Sequence, residues 1–178
     1  MKCVTEVLAI LTYAPQVQFV TATVKKAKLL PFNNKPFARV MLFERRHLLE
    51  QKQTTVIPTT ICGRCLTTDC SQQRQSTSNS PSSSSLADCS STARGAQQST
   101  DVIFSESFLF HVTPEMLDRC HIVIEMYDTN PEDCNSGPIP IGHCVIGPMC
   151  TGPGCAHWLQ MIRKTGLPAC MWHRLLKS

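Results

Sequence analysis

The sequence lacks a long apolar run and a recognisable secretion signal, and it is poor in aromatic residues. No segment approaches the roughly 20 apolar residues of a transmembrane helix. The first residues lack the basic and apolar regions of a signal peptide, so we expect a cytoplasmic chain. The net charge of +4 permits an acidic partner but does not demand nucleic acid. At 178 residues, one domain is expected.

Cysteine is the residue present in excess, with 11 copies, an odd number. Without a secretion signal we interpret these residues as reduced thiols. Cys120, Cys144 and Cys170 stand where a small apolar residue would serve, a role that free cysteine fills well. A zinc site is not expected among Cys62, Cys65, Cys70 and Cys89, because a four-cysteine site normally shows two close pairs and only one is present.

Eight short segments have the apolar runs and alternation of β-strands, with turn residues between them. They cover residues 6–13, 17–25, 37–43, 52–57, 104–112, 121–127, 139–146 and 169–176. A helical turn is expected over 114–118, because proline suits the first helical position. A short helix near 155–164 precedes the last strand. The pattern predicts an all-β fold, an eight-stranded antiparallel β-sandwich.

One polar segment, residues 59–101, does not fit this pattern. It is rich in serine, with Ser82 to Ser85 consecutive, and has no apolar period. Such a segment cannot bury enough apolar surface to offset its chain entropy. We therefore predict a disordered loop insertion within a domain that spans residues 6–176, after a short lead at residues 1–5.

Five segments, in order and at the right spacing, resemble the second C2 domain of the synaptotagmin family. They are Glu6–Pro15, Val20–Leu29, Lys35–Leu42, Ile103–Val112 and Gly142–Leu175. The last contains the pairs His157-Trp158 and Trp172-His173, whose tryptophan rings we expect in the core. The resemblance implies a C2 β-sandwich, a fold that docks to lipids and proteins.

Departures from the family pattern bear on calcium. Calcium-sensing members bind the ion with about five aspartates from two apical loops, because Ca²⁺ prefers six to eight oxygen ligands. Lys35 stands where the first loop has an aspartate. In the third loop only Asp128 is kept, since Asn130 is neutral. We expect no metal site, and we expect Asp128 to be a solvated loop residue.

The lipid-binding basic strand of the family is reduced here. Arg45, Arg46 and Lys52 remain and are opposed by Glu44 and Glu50. The resemblance implies weak contact with anionic phospholipid at these three residues, although a solvated strand face fits the residues equally well.

Family members that sense calcium carry an arginine pair before the final proline. Gly166 and Leu167 occupy that place, and Arg163 and Lys164 lie one helical turn earlier. We take Arg163 and Lys164 as candidate partner-binding residues.

These features favour a non-catalytic, calcium-independent C2 module of vesicle trafficking and exocytosis, without a cofactor. It would lie at a vesicle or plasma membrane and dock to SNARE-type or other trafficking proteins, or to itself. The alternative is a scaffold or oligomerisation domain without a lipid or calcium role. An enzyme is not favoured, because Cys155 and His157 do not face each other on a helix. The sequence leaves open whether the chain is part of a membrane-anchored protein with two C2 domains.

Overall fold

The computed structural model describes residues 5–29, 35–56, 100–129 and 137–177. All eight predicted strands are present, with shifted ends, and so is the helix before the last strand. The strands are β1 (Glu6–Ala14), β2 (Phe19–Leu29), β3 (Phe37–Glu44), β4 (His47–Gln53), β5 (Thr100–His111), β6 (Cys120–Asp128), β7 (Ile139–Ile146) and β8 (Ala169–Arg174). The helix α1 covers Pro153–Arg163, and a 3₁₀ turn covers Pro114–Met116.

The strands form two four-stranded antiparallel sheets. The first has the order β5-β2-β1-β8 and the second the order β4-β3-β6-β7. Successive side chains in a strand point to opposite faces, so alternate residues of each strand enter the core. In β6, for example, Ile122, Ile124 and Met126 are buried and the residues between them are half-buried. The predicted all-β sandwich is confirmed.

The connections between strands divide between the two ends of the sandwich. At one end, here called the basal end, lie the β1–β2 and β3–β4 turns, the 3₁₀ turn between β5 and β6, and α1. The β2–β3, β4–β5 and β6–β7 connections leave from the other, apical end. The predicted insertion falls in the β4–β5 connection and outside the described residues, except that Thr100 and Asp101 begin β5.

Strand ends shift where exposure hides the apolar pattern. The strand predicted at 52–57 begins at His47, because β4 is an edge strand whose residues are mostly exposed. The strand predicted at 17–25 begins at Phe19 and continues to Leu29, pairing with the start of β5. Gln18, just before it, takes a φ of 57°, a conformation suited to a turn.

The helix α1 closes the basal end over the core. It begins with proline at its first turn, where the missing N–H is not needed. Trp158 is completely buried, and its Nε1–H donates to the carbonyl oxygen of Leu117 at 3.1 Å. The predicted core position of Trp158 is confirmed. A large apolar ring with its one donor satisfied stabilises the contact between α1 and the 3₁₀ region.

A buried histidine pair joins α1 to β8. His157 Nδ1 lies 2.8 Å from His173 Nε2, and His157 Nε2 lies 2.8 Å from the carbonyl oxygen of Ala169. Because a carbonyl can only accept, Nε2 of His157 carries a proton. When His157 is neutral, its bare Nδ1 accepts the Nε2–H of His173. One arrangement of protons thus satisfies both of these hydrogen bonds with both rings uncharged.

Burial disfavours charge on this pair. It lowers the pKa of His173 to about 4, and the adjacent His157 adds to the lowering. Burial also lowers the pKa of His157, while the hydrogen bond to Ala169 opposes this by raising it. Both histidines therefore enter the core in the neutral state.

The neutral pair predicts acid sensitivity. Because the folded pKa values lie below the unfolded value of about 6.5, the unfolded chain binds more protons in acid. The contribution of the pair is complete above pH ~6.5 and is lost as the pH falls towards the folded pKa of His173, about 4. Over this range we expect the free energy of unfolding to fall by about 2 kcal/mol more in wild type than in His173→Gln.

Urea denaturation at several pH values measures the difference. Glutamine keeps an N–H donor for His157 but does not titrate, which makes it the matched comparison. Equal pH dependence in the two proteins would contradict a neutral buried pair.

Candidate functional site

The apical end holds Lys35 and Asp128, two of the residues that the calcium argument singled out. Lys35 and Thr129 exchange backbone hydrogen bonds of 3.2 and 3.3 Å, and the Thr129 hydroxyl also donates to the Lys35 carbonyl oxygen at 2.8 Å. Lys35 and Asp128 thus begin and end neighbouring chain segments. Asn130 lies outside the described residues.

Asp128 is not a solvated loop residue, and that expectation is wrong. It is the last residue of β6, pairs with Ile139 and is only 2% exposed. The alternation of β6 places it on the same face as Met126, towards the interior. Within the part of the chain that the structure describes, no group of three or more His, Cys, Asp or Glu side chains could hold a metal ion.

Lys52 lies far from the two arginines that were grouped with it. Arg45 and Arg46 form the β3–β4 turn, and six residues of strand separate Arg46 from Lys52, about 20 Å. The Lys52 ammonium donates to the carbonyl oxygen of Leu109 and lies 2.8 Å from Glu50 Oε1. Lys52 therefore connects β4 to the edge of β5.

Arg45 and Arg46 belong instead to a basic pocket at the basal end. The pocket has a volume of about 550 Å³ and is lined by Glu44, Arg45, Arg46, His47 and Arg119. Arg119 Nε donates to Glu44 Oε1 at 2.7 Å, and Arg45 N–H donates to the Arg119 carbonyl oxygen at 2.8 Å. Arg119 was missed from the sequence, because it is an isolated arginine that only the strand pairing brings to this turn.

The candidate partner-binding residues lie at the end of α1. Arg163 is in the last helical turn and Lys164 follows the helix, with its N–H donating to the Gln160 carbonyl oxygen at 3.1 Å. Both side chains are exposed. Cations at a helix C-terminus are favourably placed relative to the helix dipole. These residues form a second basic group at the basal end.

The outer face of the first sheet carries a feature that the sequence did not suggest. Trp172 points outwards from β8 and is half-buried, so the expectation of a core ring is wrong for this residue. The ammonium groups of Lys26 and Lys28 lie 5.5 and 4.5 Å from the centroid of its ring. Leu8 of β1 pairs with both Lys26 and Trp172, which explains the approach.

An aromatic and charged group also occupies the outer face of the second sheet. Arg39 donates to the Tyr127 hydroxyl at 3.2 Å and lies 3.9 Å from Glu125, while the Tyr127 hydroxyl donates to Glu125 at 2.7 Å. The hydrogen bond to Glu125 and burial raise the pKa of Tyr127. Phe37 stacks on Tyr127 with centroids 5.3 Å apart. These contacts satisfy one another and form a rigid surface.

The described cysteines are free thiols. Burial raises the pKa of Cys144 to about 12, and burial together with nearby Glu44 raises that of Cys120 to about 11. Both therefore act as small apolar groups, as predicted. Cys170 points outwards and is exposed, so the same prediction is wrong for it. The cysteines weighed for zinc lie outside the described residues.

Within the described segments, no helix combines the length and the apolar character needed to cross a bilayer. No family model matches the chain. Synaptotagmin-12 of Homo sapiens is 22% identical over 178 residues, which cover 97% of this chain and 32% of the relative. The chain thus spans about a third of the length of that relative.

Solved C2 domains share the fold. The first of two examples, domain A of the C2 type in RIM from Drosophila, superimposes with a TM-score of 0.59 at 13% identity, covering 98% of this chain and 100% of that domain. The first C2 domain of human synaptotagmin XIII gives a TM-score of 0.55 at 10% identity, covering 98% of this chain and 88% of that chain. The two sheets, the helix before the last strand and the synaptotagmin similarity identify this chain as a synaptotagmin-like C2 domain.

Proposed function

We propose that this C2 domain is a calcium-independent docking module of vesicle trafficking, peripheral to a vesicle or plasma membrane. It contacts anionic phospholipid weakly and docks to SNARE-type or other trafficking proteins, or to a second copy of itself. C2 domains are in general non-catalytic binding modules. The observation that carries the proposal is the division of charge, with Lys35 at the apical end and exposed arginines at the basal end.

Lys35 supports calcium independence. It adjoins Thr129, the residue after Asp128, at the end where calcium-sensing members gather carboxylates. A fixed ammonium near a calcium site opposes a divalent cation by direct repulsion. Ca²⁺ also needs six to eight oxygen ligands, and each aspartate replaced by lysine or asparagine removes one. This end of the domain is therefore a poor calcium site.

Exposed cations support contact with lipids and proteins. Arg45 and Arg46 are exposed in the β3–β4 turn, and Arg163 and Lys164 are exposed at the end of α1. Each cation near an anionic bilayer contributes about 1 kcal/mol, and the effect is screened within about a Debye length. Few cations give weak and salt-sensitive binding, which suits a module that acts together with protein partners.

The alternative is a scaffold or oligomerisation domain without a lipid role. Ile103 and Leu109 favour it, because both are large aliphatic side chains exposed on the edge strand β5. Exposed aliphatic groups on a sheet edge are suited to contact with another protein.

Calcium binding is the first test. We expect isothermal titration calorimetry to show no saturable site at ~10⁻⁷–10⁻⁵ M calcium, the range of sensor sites. A saturable site in this range would overturn calcium independence. A titration with magnesium serves as the control for nonspecific binding of divalent cations.

Vesicle binding separates the two candidate functions. We expect the wild-type domain to cosediment with phosphatidylserine-containing vesicles at low salt, equally with calcium and with a chelator, and to be released as salt screens the surface. Phosphatidylcholine vesicles provide the neutral control. Failure to bind anionic vesicles at low salt would leave the scaffold function in its place.

A further inference from the structure

We propose that the β3–β4 hairpin is the membrane-docking element, with the basal end facing the bilayer. Arg45, Arg46 and Arg119 would meet lipid phosphates, and Leu48 and Leu49 would enter the interface beside them. The inference rests on the proposed function, because it assumes contact with anionic lipid. It places that contact away from both the apical loops and the Lys52 position.

The first support is uncompensated charge. The pocket brings three guanidinium groups and one carboxylate together, a net charge of +2 with His47 neutral. Glu44 is engaged by Arg119 at 2.7 Å. No carboxylate of the described residues lies within ion-pair distance of Arg45 or Arg46, whereas Lys26, Lys28 and Lys52 each have one. Guanidinium groups match phosphate in geometry and bind it through paired N–H donors.

The second support is the backbone of the turn. Glu44 and His47 are the last pair of the hairpin, and Arg45 and Arg46 join them. Arg45 takes a φ of 54°, in the left-handed region that glycine adopts without strain. Arginine there is unfavourable for folding, and such strain is typical of functional positions. The hydrogen bond from Arg45 to the Arg119 carbonyl oxygen holds the turn against the β5–β6 connection.

The third support is the pair of leucines that follows the arginines. A register shift between Leu42 and Phe43 leaves Leu49 as an extra residue in β4. Such a bulge re-aims side chains, and Leu48 and Leu49 are 49% and 46% exposed. Leu49 is three residues beyond Arg46, about 10 Å along the strand.

This order of cations and exposed leucines favours a bilayer over an acidic protein. A membrane interface takes cations at the level of its phosphates and apolar groups just below them. An acidic polypeptide would use the arginines alone. The hairpin therefore fits a bilayer of anionic phospholipid better than it fits an acidic chain.

The charge is tested with Arg45→Gly/Arg46→Gln on vesicles of phosphatidylcholine with phosphatidylserine and phosphatidylinositol bisphosphate. We expect binding to weaken about twentyfold, since each arginine contributes about fivefold near an anionic surface. The melting temperature should not fall, because glycine relieves the positive φ of Arg45. Lys25→Gln/Arg174→Gln removes two other exposed cations and should leave binding within about twofold of wild type.

The leucines are tested with Leu48→Ser/Leu49→Ser on the same vesicles. Loss of two partly inserted side chains should weaken binding about tenfold. Val17→Ser/Leu167→Ser is the matched control, because both residues are exposed at the same end of the sandwich. Their removal should leave vesicle binding unchanged. Circular dichroism and melting temperatures confirm that each variant is folded.

The outcomes are distinguishable. If wild type binds and the hairpin variants bind equally well, this inference is wrong while the proposed lipid function stands. If wild type does not bind at all, the proposed lipid function fails. If the arginine variant weakens binding but the leucine variant does not, and polyglutamate displaces the vesicles, the hairpin takes an acidic polypeptide and the inference is overturned.

Discussion

Burial of one side-chain row from every strand is the constraint on which the rest of this structure depends. Two four-stranded sheets meet over those rows. Since successive side chains alternate between faces, each inward row fixes which residues point outwards. The antiparallel order then collects the connections at two ends. Arg119 approaches the β3–β4 turn because β3 pairs with β6, although 73 residues separate it from Arg46.

The cations of this domain have different roles because of where the strands place them. Lys26 and Lys28 lie over the ring of Trp172 and pair with carboxylates. Lys52 connects the edges of the two sheets. Exposed pairs of this kind contribute little to stability, but they occupy the charge that a lipid phosphate would need. The turn arginines have no such engagement among the described carboxylates, so the basal end carries the electrostatic potential for docking.

Sequence reasoning predicted elements well where burial is one-sided and poorly where it is not. The apolar positions of β1 and β6 alternate with period two, and both strands lie where they were predicted. The edge strand β4 begins at His47, five residues earlier than predicted, because an exposed strand has no apolar period to read. Trp172 and Asp128 were misplaced for a related reason. A tryptophan can cover an outer face, and a carboxylate at a strand end can be buried.

The sequence by itself determined that the chain is an all-β sandwich resembling a synaptotagmin C2 domain, because alternation and turn residues are local properties of neighbouring residues. It also determined that Lys35 and Asn130 replace calcium-type ligands. Only the tertiary structure decided which charges meet. It separated Lys52 from Arg45 and Arg46, brought Arg119 to them and joined His157 to His173. These pairings depend on strand register and on packing between distant segments, and neither is encoded in any short stretch of sequence.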